Sequence, residues 1–144
     1  NLEGALLAVS LNLQAYCQAR QGRDLALALQ LSREALKIRA SVAGFRHTRG
    51  LLLLELGQLD DASRDLEASW LDGSGTGLFE AERCYDLGRL WSVRGQSEYG
   101  NDYFERSLRA SPDSHWATMS EKLVSQSATL GIARGSGNIL DDFI

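Results

Sequence analysis

The chain has 144 residues and a formal net charge of -4, and 44% of its residues are hydrophobic. This length fits one domain, and the hydrophobic content excludes an intrinsically disordered chain. The basic residues form no long block, which argues against a phosphate-binding surface for nucleic acid. The apolar runs are short, and none approaches the roughly 20 residues that cross a membrane. We therefore expect a globular cytoplasmic protein that does not insert into membranes.

Helical periodicity dominates from the first residues onward. Proline occurs only at Pro112, so the commonest helix breaker is nearly absent. In the first predicted helix, apolar residues recur at spacings of three and four, which places them in one stripe. The stripe consists of Leu2, Leu6, Val9, Leu13, Tyr16 and Cys17. Gly22 ends this helix, and we expect Asp24 to cap a second helix that fades near Ser41.

The middle of the chain predicts a second pair of helices. Gly44 marks the turn before the third helix, which stops at Gly57. Asp60 or Asp61 then caps the fourth helix. Residues 72–77, three of which are glycines, are the clearest loop in the sequence.

The last part of the chain predicts three more helices. Helix five runs from about Leu78 to Arg94, and helix six ends before Pro112. Ser111 or Asp113 starts a seventh helix, whose apolar stripe is interrupted by serines. We expect this helix to cover the open end of the last pair.

The helices pair, and small residues recur at corresponding positions of the pairs. The first helix of each pair closes on a glycine, at intervals of 35 and 38 residues: Gly22, Gly57 and Gly95. Seven residues earlier stand three small residues: Ala15, Gly50 and Gly88. A second helix can approach closely there, because the side chain is small or absent.

This pattern resembles the tetratricopeptide repeat family, whose unit has 34 residues. The best-matching unit, Ala81 to Ser114, carries Leu87-Gly88, Trp91, Gly95, Phe104, Ser107-Leu108 and Pro112. Arg46 to Leu71 is a second match, and Leu2 to Ala40 is a degraded first one. The resemblance implies an all-α, right-handed superhelical array of antiparallel helix hairpins, an α-solenoid of about seven helices. We assign residues 1–134 to this repeat domain and residues 135–144 to a flexible linker and tail.

The sequence offers no persuasive catalytic or metal-binding constellation. His47 and His115 lie in different helical segments, with no cysteine or carboxylate at ligand spacing. The glycine-rich residues 74–77 lack the Lys-Ser/Thr ending of a phosphate-binding loop. Cys17 and Cys84 are interpreted as buried free thiols, although a single disulfide stays open. We therefore expect a protein that is not an enzyme and has no cofactor and no metal.

Family resemblance also implies where a partner binds, because the first helices of successive pairs line a concave groove. When the groove-lining positions of the family are aligned with this sequence, the candidate partner-binding residues are Asn12, Tyr16, Arg20, His47, Leu51, Leu54, Glu82, Tyr85 and Arg89. Tyrosine anchors beside arginines suit a peptide that carries carboxylates. The alternative is that these are ordinary helix residues, and for His47 in particular a solvated position.

The function that follows is a protein–protein interaction module, a scaffold or adaptor that binds a peptide segment of a partner. The alternative is a regulatory or sensor segment of a larger enzyme or transcription regulator. One subfamily clamps chaperone tails with two lysines, two asparagines and an arginine. That clamp is not reproduced, since Asn12 stands where a lysine is expected and Tyr16 replaces an asparagine.

A short tail follows a Gly-Ser-Gly segment at the end of the chain. Its candidate docking residues are Ile139, Leu140, Asp141, Asp142 and Phe143. The tail can self-associate by docking into the groove of its own chain or a neighbour, with the acidic pair meeting Arg20 or Arg89. A fused ligand and a disordered end are the two alternatives.

Overall fold

The computed structural model describes residues 1–72 and 77–126, and these residues contain seven helices and no strand. The helices are α1 Leu2–Gln21, α2 Leu25–Ile38, α3 Ala43–Glu55, α4 Leu59–Asp72, α5 Gly77–Val93, α6 Ser97–Ala110 and, as far as it is described, α7 over residues 115–126. The prediction of an all-α chain is confirmed. Its predicted tail, residues 135–144, lies outside the described residues.

The chain divides into two compact units, Asn1–Gly75 and Thr76–Ile144. In the first unit α1 packs on α2 and α3 packs on α4, and both α1 and α2 also contact α3. The short connections make each pair an antiparallel hairpin, and the two hairpins stack. In the second unit α5 and α6 form a hairpin, and Trp116 of α7 lies against Tyr85 of α5.

The same hydrogen-bonded turn ends α1, α3 and α5. In each turn a glycine has a positive φ, which is 67° at Gly22, 78° at Gly57 and 83° at Gly95. Each glycine N–H donates to the carbonyl three residues back, and the next N–H donates to the carbonyl five residues back. This is the Schellman arrangement, which satisfies the last carbonyls of a helix and favours glycine in the left-handed region. The predicted repeat of helix-ending glycines is therefore confirmed.

Neighbouring helices come close together at the predicted small residues. Ala15, Gly50 and Gly88 are all buried. A Cβ atom on Gly50 would lie 2.8 Å from Cγ of Leu66, and one on Gly88 would overlap the ring of Phe104. Both glycines thus mark the points where α3 meets α4 and α5 meets α6.

Polar contacts also fasten each hairpin. Arg49 of α3 donates two hydrogen bonds to Asp65 of α4, from Nε at 2.5 Å and from Nη2 at 2.7 Å. The hydrogen bonds to Asp65 raise the pKa of Arg49 above its ordinary value. In the second unit the buried hydroxyl of Ser107 on α6 donates to the carbonyl of Ala81 on α5 at 2.7 Å.

Two of the predicted helix starts are wrong. Gly44 lies inside α3 and not in the turn before it. The seventh helix is capped by Ser114 and not by Ser111 or Asp113, because the backbone N–H of Ala117 donates to Ser114 Oγ at 3.1 Å. The sequence places three candidate capping residues close together, and only this hydrogen-bond geometry distinguishes them.

Acidic residues near other helix starts act differently from the prediction. Asp24 directly precedes α2, but it has a φ of 47° and makes no side-chain capping hydrogen bond. Aspartate tolerates this left-handed conformation better than most residues. Asp60 and Asp61 lie within the first turn of α4, where their negative charge interacts favourably with the positive end of the helix dipole.

The predicted stripe of α1 is not its buried face. α1 buries three alanines, Ala8, Ala15 and Ala19, while Leu2, Leu6, Val9 and Leu13 are exposed. Small side chains allow the neighbouring helices to come close, so burial follows the alanines and not the larger residues. Cys17 is exposed, which corrects its prediction, whereas Cys84 is buried as predicted, and both are free thiols.

Candidate partner-binding surface

The α1 part of the candidate surface is a stacked tyrosine–arginine pair. Nε of Arg20 lies 3.4 Å from the hydroxyl of Tyr16, to which it donates. The guanidinium carbon is 5.4 Å from the centre of the Tyr16 ring. One helical turn separates the two residues, which is the spacing at which side chains of a helix meet. Both side chains are half-buried, as is Asn12 one turn before Tyr16.

The α3 part of the candidate surface is buried. His47, Leu51 and Leu54 are at most 6% exposed. α3 contacts α1, α2 and α4 within its unit, so little of its surface remains open. A solvated position for His47 is therefore wrong, and all three side chains are buried.

A second tyrosine–arginine pair lies on α5. The guanidinium carbon of Arg89 is 5.7 Å from the centre of the Tyr85 ring, and Arg89 also lies 3.6 Å from Oδ1 of Asp86. Tyr85 is buried, with its ring 5.5 Å from that of Trp116. Glu82, the third predicted residue on this helix, is half-buried.

The two pairs share spacing and geometry, although they lie in different units. In each, an arginine guanidinium stands over a tyrosine four residues earlier on the first helix of a hairpin. Stacking on a ring holds the guanidinium in one orientation. Carboxylate is the group that such a fork recognises best. The residues predicted to dock from the tail lie outside the described residues.

An aromatic cluster on the α5–α6 hairpin was only partly predicted. Trp91 meets Tyr99 edge to face at 4.9 Å between ring centres, and Tyr99 meets Tyr103 at 5.5 Å. Phe104 is buried, whereas Trp91 is half-buried and Tyr99 is exposed. The signal in the sequence was the spacing of four between Tyr99 and Tyr103, which places both rings on one face of α6.

The buried thiol of Cys84 is a poor nucleophile. Burial raises the pKa of Cys84 to about 12, and the charge of Glu80 and a hydrogen bond to it add to this. The thiol of Cys84 donates to Glu80 Oε1 at 3.5 Å. Because the thiolate is the nucleophile, Cys84 is unsuited to covalent catalysis at neutral pH.

The fold is similar to that of a solved repeat domain. The Arabidopsis OM64 TPR domain aligns over 85% of this chain and 98% of its own, with a TM-score of 0.69 and 17% sequence identity. Neither protein-family models nor curated protein sequences give a match. The chain therefore has the tetratricopeptide-repeat fold that its glycine pattern predicts, an all-α array of helical hairpins. Across the helices within the described ranges, none is long and apolar enough to cross a membrane.

Proposed function

We propose that this chain is a protein-interaction module, a scaffold or adaptor that binds an acidic peptide segment of a partner. The observation that carries the proposal is the pair of stacked tyrosine–arginine contacts, Tyr16–Arg20 on α1 and Tyr85–Arg89 on α5. The tetratricopeptide fold supports protein binding in general, since stacked hairpins expose extended surfaces suited to peptides.

The chemistry of the two pairs favours carboxylates in the ligand. Each arginine is held by its ring while part of the side chain remains exposed, 28% in the case of Arg89. Preorganising a rotamer-rich side chain lowers the entropy that binding costs. The chain as a whole has a net charge of -4, so an acidic ligand would be attracted locally by these arginines and not by the overall charge.

Burial limits which residues touch the peptide directly. Asn12, Arg20, Glu82 and Arg89 are partly open to solvent, whereas Leu51 and its buried neighbours on α3 are not. We assign contact to the open side chains and support to the buried ones. We propose each pair as an anchor within its own unit, so that replacing either arginine should weaken binding of an acidic segment to that unit.

Selection from a displayed library of random 12-residue peptides tests the proposal. We expect the wild-type chain to enrich peptides rich in Asp and Glu. In calorimetric titration of an enriched peptide, the Arg20→Glu, Arg89→Glu variant should bind at least about tenfold more weakly, because each exchange replaces a charge-assisted hydrogen bond by repulsion.

A matched control carries the same change of charge elsewhere. Arg39→Glu with Arg109→Glu alters two exposed arginines, one at the end of α2 and one on α6. This control should retain wild-type affinity. If no acidic peptide is enriched, or if both double variants lose affinity equally, the proposal fails.

A further inference from the structure

Apolar residues form an exposed row along α1. Leu2 is 75% exposed, Leu6 59%, Val9 46% and Leu13 56%. Tyr16 and Arg20 continue the row at the same spacing, and we call these six residues the α1 seam. Single exposed leucines are normal on a protein surface, but a contiguous apolar row marks an interaction surface.

The seam has the spacing of a helix-pairing surface. Its positions 2, 6, 9, 13, 16 and 20 alternate steps of four and three, which is the a/d repeat of a two-stranded coiled coil over almost three heptads. The buried alanines of α1, such as Ala8 and Ala15, lie on another face. α1 can therefore pack within its own unit through one face and pair with a second helix through the other.

We propose that the occupant is α1 of a second copy, bound antiparallel about a two-fold axis through the middle of the helix. The six positions are symmetric about residue 11, so that Leu2 faces Arg20, Leu6 faces Tyr16 and Val9 faces Leu13 of the second copy. A two-fold interface requires such self-complementarity, because the same surface is used by both subunits.

Charge selects the antiparallel arrangement. Glu3 lies in the first turn of α1 and Arg20 in the last. Antiparallel pairing brings Arg20 of one copy beside Glu3 of the other. It also places the positive end of each helix dipole beside the negative end of the other, which is favourable. Parallel pairing would instead place like charges together at both ends. Leu6, Val9 and Leu13 supply the apolar centre of the interface, and the charged residues at its two ends form the rim.

The size of the seam sets the expected strength of the dimer. Two copies of six half-exposed side chains bury about 1,000 Å² in total, near the lower end of specific interfaces. An interface of this size is typical of weak and reversible association. The dimer should therefore form and dissociate within an accessible concentration range.

Sedimentation velocity of the 144-residue chain from about 1 to 500 μM tests the proposal. We expect a monomer–dimer equilibrium that the Val9→Glu, Leu13→Glu variant shifts at least about 100-fold toward monomer. Leu7→Glu is the control, because Leu7 is 54% exposed but lies outside the seam. Circular dichroism verifies that each variant remains helical.

Disulfide trapping tests the orientation. In the antiparallel pair Glu3 lies beside Cys17 of the second copy, so mild oxidation of Glu3→Cys should give a covalent dimer through the native exposed thiol. Cys84 is buried and does not compete. Leu7→Cys should form much less of this product. Equal trapping of both variants, or no trapping of Glu3→Cys, would overturn the antiparallel arrangement.

Other occupants of the seam have distinct outcomes. A monomer at every concentration would overturn the proposal and leave the seam to another segment or partner. Deleting residues 138–144 should leave the dimer unchanged, and loss of the dimer on deletion would assign it to the tail instead. The dimer shares Tyr16 and Arg20 with the proposed peptide surface, but the peptide titration, run below about 1 μM protein, decides the two questions separately.

Discussion

At the scale of single residues, the Arg49–Asp65 ion pair shows what fastens a hairpin. It is bidentate, and the side chain of Asp65 is only 10% exposed. By contrast, the Arg64–Asp61 pair one turn away is 78% and 55% exposed and has a single contact at 3.0 Å. Burial and geometry make the first pair stabilising, whereas side-chain entropy and water offset most of the second.

Replacing the two aspartates separately tests this difference. Asp65→Asn removes the charge that Arg49 holds and should lower the free energy of unfolding by roughly 2 kcal/mol. Asp61→Asn should change it by less than about 0.5 kcal/mol. Urea unfolding followed by circular dichroism measures both. Equal losses in the two variants would show that the bidentate geometry has no special effect.

Whether a side chain is buried could be predicted only where the residue type and its neighbours in the sequence determine it. The burial of Cys84 agreed with the usual position of a free thiol. The exposure of Cys17 did not, because the sequence of α1 contains both an apolar row and an alanine row. Which row is buried depends on how closely α2 and α3 approach, and that is a property of the packed unit.

At the scale of helices, close approach at glycine sets how each hairpin packs. Gly88 lies against the ring of Phe104, which is itself buried. Helix ends were predictable because Gly22, Gly57 and Gly95 specify the left-handed turn locally. Helix starts were less predictable, since Ser111, Asp113 and Ser114 all have suitable chemistry.

Adding one methyl group at two glycines tests the close approach. Gly88→Ala should destabilise the chain by about 1–3 kcal/mol, because the new Cβ overlaps Phe104. Gly44→Ala should stabilise it by up to about 1 kcal/mol, because Gly44 has open space around its Cα. Thermal and urea unfolding report both effects. A stabilising Gly88→Ala would contradict the packing described for α5 and α6.

At the scale of the whole molecule, the glycine repeat predicted the fold but only part of the candidate binding surface. The glycine intervals predicted hairpins, and the tetratricopeptide-repeat fold followed. The groove positions were transferred from the family by register, which does not say how deeply each side chain is buried. In the structure His47 and Leu54 are buried, whereas Arg20 and Arg89 remain partly open. Depth depends on how neighbouring helices pack, and a periodic pattern does not specify it.

The proposed function depends on partner binding by the first helices of the hairpins through their tyrosine–arginine pairs. A library-selected acidic peptide is titrated into ¹⁵N-labelled chain at a concentration at which sedimentation finds a monomer, and the amide chemical shifts are followed. We predict changes concentrated on α1 around Tyr16 and Arg20 and on α5 around Tyr85 and Arg89. Changes confined to α2, α4 and α6 would contradict the claim.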